Sequence, residues 1–117
     1  MSKWDYFTDE ETEGLADDLM YKVVRFREII KQPVWLTETV AKGGSHVKNS
    51  AHEKGLAVDF TIRKKGDYRA YTALEQLRLA WALGRAGFVR IGVYNRHCHA
   101  DVDKSKTPDA VWTGISR

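Results

Sequence analysis

From Leu56 to Ile62 the sequence alternates. Leu56, Val58, Phe60 and Ile62 fall on one side of an extended chain, and Ala57, Asp59 and Thr61 fall on the other. This pattern predicts a strand with one face in an apolar core. The opposite face then carries a carboxylate beside a small alanine. A carboxylate in an otherwise apolar strand is costly to desolvate, so Asp59 needs a cation, hydrogen bonds or water. Any fold for this chain has to bury one side of the strand and give Asp59 partners on the other.

The segments around this strand read as short elements. Leu15, Leu19, Val23, Phe26 and Ile30 recur at helical spacing, which predicts a helix over about 13–31, closed by Pro33. Val34 to Val40 reads as a strand. Gly43, Gly44, Ser45, Asn49, Ser50 and Gly55 mark a loop able to wrap a site. A second helix is expected over about 69–85, with Leu74, Leu77 and Trp81 on its buried face. Phe88 to Tyr94 reads as a strand, 98–102 as another extended piece, and Val111-Trp112 as an apolar patch able to seal the core. The expected fold is α+β, a small antiparallel sheet with two principal helices, although element spacing alone leaves a parallel arrangement open. Residues 1–12 read as an N-terminal arm that Trp4, Tyr6 and Phe7 can pin to the body, and 13–117 as a single domain.

Length and charge narrow the function. A chain of 117 residues with 43% hydrophobic residues supports one domain and argues against wholesale disorder. Its single cysteine, Cys98, rules out an internal disulfide framework. No apolar run is long enough to span a bilayer, and the acidic start does not read as a secretory signal. The first 20 residues hold seven acids against Lys3, leaving 18 basic and nine acidic groups in the rest. Such a surface is either ordinary solvated charge or one that favours encounter with a polyanion, a cell-wall polymer or nucleic acid. No recognised nucleic-acid-binding spacing accompanies the charge, so nucleic acid is the least favoured partner.

The four histidines lie between 46 and 99. His52 precedes Asp59 by seven residues across a turn containing Gly55, which can bring imidazole and carboxylate together. In the extended run His97-Cys98-His99-Ala100-Asp101, the two histidines and Asp101 share one side and Cys98 points away. Two imidazoles and a carboxylate suit zinc, and three protein ligands leave a coordination position open. The plainer alternative is a local His52–Asp59 hydrogen-bonded pair with surface histidines downstream. Trp35 and Trp81 read as core aromatics rather than sugar platforms. Trp112 can pack beside the metal strand or border a cleft.

The stretch Ser50-x-His52-x-x-Gly55-x-Ala57-x-Asp59-Phe60, followed by His99-x-Asp101, resembles the M15 peptidases. These are D-alanyl-D-alanine carboxypeptidases and peptidoglycan endopeptidases, including phage endolysins. The resemblance covers most of the chain, from the first helix through Trp112. It implies a small α+β fold and a Zn2+ site with His52, Asp59 and His99 as ligands. Many relatives carry a catalytic glutamate three residues before the last zinc histidine, where this chain has Arg96. A guanidinium is no general base at ordinary pH. Arg96 is instead a candidate for a substrate carboxylate, or ordinary surface. His97, two residues before His99, is the preferred candidate for proton transfer or oxyanion binding, with support of a ligand as its alternative. Asp101 is a candidate acceptor behind a ligand histidine. The family's upstream arginine is also missing. Lys42 supplies positive charge there without the planar fork of arginine, and His46 either lines the groove or sits in an exposed loop.

The resemblance therefore implies zinc-dependent hydrolysis of peptidoglycan stem peptides, by a carboxypeptidase or an endolysin-type endopeptidase. The alternative is a catalytically weak or inactive zinc-binding domain for wall recognition or phage-particle assembly. If the chain is phage-derived, it is expected in the cytoplasm until a release or export partner delivers it to the bacterial wall.

Overall fold

A computed structural model describes residues 2–38, 51–52 and 54–116. The glycine-rich loop, with Lys42, His46, Lys48 and Ser50, and the end of the predicted first strand lie outside the described residues. The chain forms a small α+β domain with a mixed sheet.

A short helix α1 (Asp9–Thr12) begins at Thr8, whose hydroxyl accepts from the Glu11 N–H while the Glu11 carboxylate accepts from the Thr8 N–H. Phe7 is buried in the core and Trp4 packs against it. Helix α2 (Asp17–Ile30) starts later than the apolar spacing predicts. Its buried face is Leu19, Met20, Val23 and Phe26, and it ends where Lys31 turns left-handed and its N–H bonds the Arg27 carbonyl. Strand β1 (Trp35–Glu38) follows, then β2 (Ala57–Thr61), helix α3 (Ala73–Arg85), β3 (Arg90–Tyr94), β4 (Cys98–Asp101) and β5 (Ala110–Gly114).

The sheet order is β1-β2-β4-β3-β5. All neighbours pair antiparallel except β3 and β5, which run parallel, so the expectation of a purely antiparallel sheet is corrected. Residues 102–109 carry the chain from β4 to the far side of β3, and β5, running opposite to β4, therefore lies parallel to β3. Helices α2 and α3 pack together over one face of the sheet. Val58, Phe60, Ile91, Val93, Cys98 and Ala100 meet Leu19, Phe26, Leu79 and Leu83 there, and Phe26 and Phe60 lie 5.0 Å apart.

The buried face of α3 is not the one the spacing predicts. Leu79, Ala82 and Leu83 are inside, while Leu74, Leu77 and Trp81 are 62%, 68% and 59% exposed. Two stripes on this helix satisfy a three- and four-residue repeat, and the one built from smaller residues fits beneath α2. Trp35 is 40% exposed rather than a core aromatic, and Val111 is 66% exposed, leaving no core-sealing role for that valine.

One ion pair joins the segment just after β2 to the start of α3. The Arg63 guanidinium reaches both Glu75 carboxylate oxygens at 2.7 Å, and the same carboxylate accepts from the Thr72 N–H in the helix cap. Arg63 holds the Glu75 carboxyl down to about 2. A depressed carboxyl contributes stability above its unfolded pKa, and that contribution is lost as pH falls through the folded value.

In denaturant unfolding, Leu79→Ala is expected to lose about 2–5 kcal/mol, and Leu77→Ala about 0.5 kcal/mol or less; the reverse order would place the wrong face inside. Glu75→Gln is expected to lose about 1 kcal/mol at neutral pH. The difference between Glu75→Gln and the parent should close as pH falls from about 4.5 to about 2. A pH-independent difference would show that the charge contributes nothing.

Candidate metal centre

The face of the sheet opposite the helices carries a row of residues in register. Asp59 on β2 pairs with His99 on β4, His99 with Gly92 on β3, and Gly92 with Trp112 on β5. Strand alternation produces this row directly. Val58, Cys98, Ile91 and their neighbours enter the core, so Asp59, His99 and Gly92 point the other way. Gly92 is the gap in the row. A Cβ there would lie 2.6 Å from the Trp112 indole nitrogen, so only glycine lets the indole lie across β3 and reach within 5.4 Å of the His99 ring.

His52 arrives from the turn before β2. The Gly55 N–H bonds the His52 carbonyl at 3.1 Å, and the Leu56 N–H bonds the Ala51 carbonyl at 2.9 Å. Gly55 is left-handed at φ 74°, and a Cβ there would collide with the Gly14 carbonyl oxygen. The turn is thereby locked against the segment before α2, where the Ala16 N–H bonds the Gly55 carbonyl at 2.9 Å. His52 itself is buried, 6% exposed.

The three side chains converge. His52 Nε2 lies 3.3 Å and His99 Nδ1 3.0 Å from the same Asp59 carboxylate oxygen, and the two imidazoles stand 5.2 Å apart edge to face. One ligand atom from each residue lies within 4.8 Å of the others. Tetrahedral zinc with bonds of about 2.0–2.1 Å has ligand–ligand edges of about 3.3 Å. The donor types and spacings fit a divalent metal such as zinc.

The electrostatics fit as well. Burial alone would raise the Asp59 carboxyl, but hydrogen bonds to His52 and His99 outweigh it and hold the group well below the usual carboxylate range. Burial alone would lower His99; its bonds to Asp101 and Asp59 prevail and push it up to about 9. The His99 ring lies between two carboxylates, with Nε2 only 2.7 Å from Asp101 Oδ2. A carboxylate only accepts, so Nε2 carries a proton, and Nδ1 facing Asp59 takes either a second proton or a metal. Asp101 is 1% exposed and thus stands behind the cluster as an acceptor for a ligand histidine.

His97 lies outside the three-ligand cluster. Its Nδ1 is 2.6 Å from the Ser116 hydroxyl oxygen, its ring stacks on Tyr94 at 4.2 Å, and burial lowers its pKa. The Ser116 oxygen also accepts from the Arg96 N–H at 3.0 Å. Arg96 is exposed in the turn between β3 and β4. Cys98 is in the core, where burial pushes its thiol up. Sequence reasoning missed Ser116 and Tyr94 as partners of His97, and Gly92 as the opening for Trp112. Strand parity places Tyr94 on the site face, but nothing in the sequence pairs β5 with β3.

No protein-family model matches the chain, and no match appears among curated proteins. Among the described residues, no helix is long and apolar enough to cross a membrane.

The protein is expected to bind one zinc per chain, with zinc raising its thermal midpoint. His52→Ala, Asp59→Ala and His99→Ala should each weaken binding severely in a competition titration against a chromophoric chelator. Parental affinity in all three would remove the centre from these residues.

Proposed function

We propose that the chain is a zinc peptidase acting on peptidoglycan stem peptides, either as a D-alanyl-D-alanine carboxypeptidase or as an endolysin-type endopeptidase of the M15 kind. The observation that carries this reading is the convergence of His52, Asp59 and His99, the same three residues that the M15-like motif marks as ligands. His52, Asp59 and His99 would hold a zinc ion there, which would supply Lewis-acid polarisation of a peptide carbonyl and a nucleophilic water near neutral pH.

The chain's own residues supply the rest. Asp101 keeps a proton on His99 Nε2 and so fixes which edge of that ring faces the centre. Trp112 flanks one side of the His99 ring at 5.4 Å. His97 is held by Tyr94 on its face and by Ser116 at Nδ1, which leaves Nε2 as the ring atom that handles the proton. In this role His97 takes a proton as water adds to the carbonyl carbon. It returns a proton to the leaving nitrogen as the C–N bond breaks. Arg96 and Lys42 are proposed to meet the carboxylates of the stem peptide. The excess of basic over acidic groups beyond the first 20 residues favours encounter with the anionic wall. A release or export partner would bring the protein there.

The test is cleavage of purified peptidoglycan by zinc-loaded protein, with the products identified by mass spectrometry. Shortened stem peptides or free D-alanine are expected. Zinc-loaded protein that leaves the polymer intact would favour the alternative, a binding domain for wall recognition or particle assembly. His97→Ala is expected to keep its zinc and lose about 100-fold or more in turnover. Full turnover at full zinc occupancy would remove His97 from proton transfer, and loss of zinc would make it a support of the centre.

A further inference from the structure

The carboxylate behind His99 is itself held by a cation that neither motif nor spacing marks. Arg90 on β3 stands opposite Asp101 on β4 in the sheet register. Its Nε donates to Asp101 Oδ1 at 2.8 Å, leaving Oδ2 for His99 Nε2 at 2.7 Å. A second guanidinium nitrogen donates to the Thr107 carbonyl, and the guanidinium carbon lies 5.5 Å from the Trp112 ring centre. The pair is secluded: the Arg90 side chain is 16% exposed and that of Asp101 1%.

From these contacts we infer that Arg90 is a positioning residue of the metal centre, acting through Asp101 and Trp112 on His99. Asp101 has two oxygens and two tasks. The oxygen on His99 is directed only if the other is pinned, and among the described residues the other donor to Oδ1 is the Asp103 N–H, at a longer 3.2 Å. The guanidinium supplies the strong, directional bond. Its other contacts tie the loop before β5 and the Trp112 indole to the same point, so one side chain braces His99 from behind and from the side. A partner behind a ligand histidine typically changes metal affinity about 10–100-fold. Arg90 stands one step further out, and its removal is expected to fall at the lower end of that range.

This inference rests on the metal centre and is independent of whether the protein cleaves peptidoglycan. The test is zinc affinity by chelator competition for the parent, Arg90→Ala and Arg90→Lys, alongside the visible spectrum of the cobalt-substituted proteins and the unfolding midpoint of each metal-free form. Arg90→Ala is expected to bind zinc about tenfold more weakly and to show an altered cobalt spectrum. Arg90→Lys should recover part of the affinity, because it restores the charge but not the fork. A merely structural role would lower the metal-free midpoint and leave the cobalt spectrum unmoved. Parental zinc affinity and cobalt spectrum in Arg90→Ala would overturn the inference while leaving the centre intact. If Arg90→Ala does not fold, Arg90→Lys decides: affinity indistinguishable from the parent overturns the inference, and a several-fold loss with a shifted cobalt spectrum upholds it. A parent that binds no zinc would overturn the centre and this inference together.

Discussion

The Asp59 carboxylate is the group around which the rest of the structure is arranged. It sits mid-strand in β2, between Val58 and Phe60, which are both in the core. A bare charge there would be severely destabilising. Two imidazoles relieve it, one from the turn before its own strand and one from the neighbouring strand. That arrangement demands a tight turn at Gly55, antiparallel pairing of β2 with β4 in a single register, and a buried acceptor behind His99. A one-residue slip of β4 would send His99 into the core and Cys98 onto the site. The apolar packing of Cys98 and Ala100 under the helices is therefore also what aims His99.

The site is layered outward from that carboxylate. The three candidate ligand side chains form the inner group, Asp101 hydrogen-bonds His99, and Arg90 hydrogen-bonds Asp101. Beside them, Gly92 admits Trp112, while Tyr94 and Ser116 hold His97. Strands β3 and β5 contribute none of the three cluster residues, yet Arg90 on β3 and Trp112 on β5 brace Asp101 and His99. This division explains how a chain of 117 residues can hold a polar cluster rigidly without a disulfide. The cross-sheet row uses backbone pairing that the core already stabilises.

What was legible in the sequence was what local geometry dictates. The alternation from Leu56 to Ile62 and the opposite parity of Cys98 and His99 placed Asp59 and His99 on one face. The Gly55 turn placed His52 nearby. The buried face of α3 was not legible, because Leu74, Leu77 and Trp81 form as regular a stripe as the smaller residues that are inside. Choosing between them requires knowing what α2 presents to the helix. The parallel β3–β5 pair was hidden for a similar reason. Residues 102–109 carry no helix or hairpin signal, so their path across the sheet is set by tertiary contacts. The contacts of Arg90 with Thr107 and Trp112, and of Ser116 with His97, depend on that path and could not be read before it was known.

If His52, Asp59 and His99 form one metal centre, His99 presents Nδ1 to it because Asp101 holds Nε2. Anomalous diffraction at the zinc edge from crystals of the zinc-loaded protein tests it most directly. A single strong zinc peak is expected within about 2.0–2.2 Å of His52 Nε2, an Asp59 carboxylate oxygen and His99 Nδ1. A peak bound by other residues, a zinc on His99 Nε2, or no peak at all would contradict it.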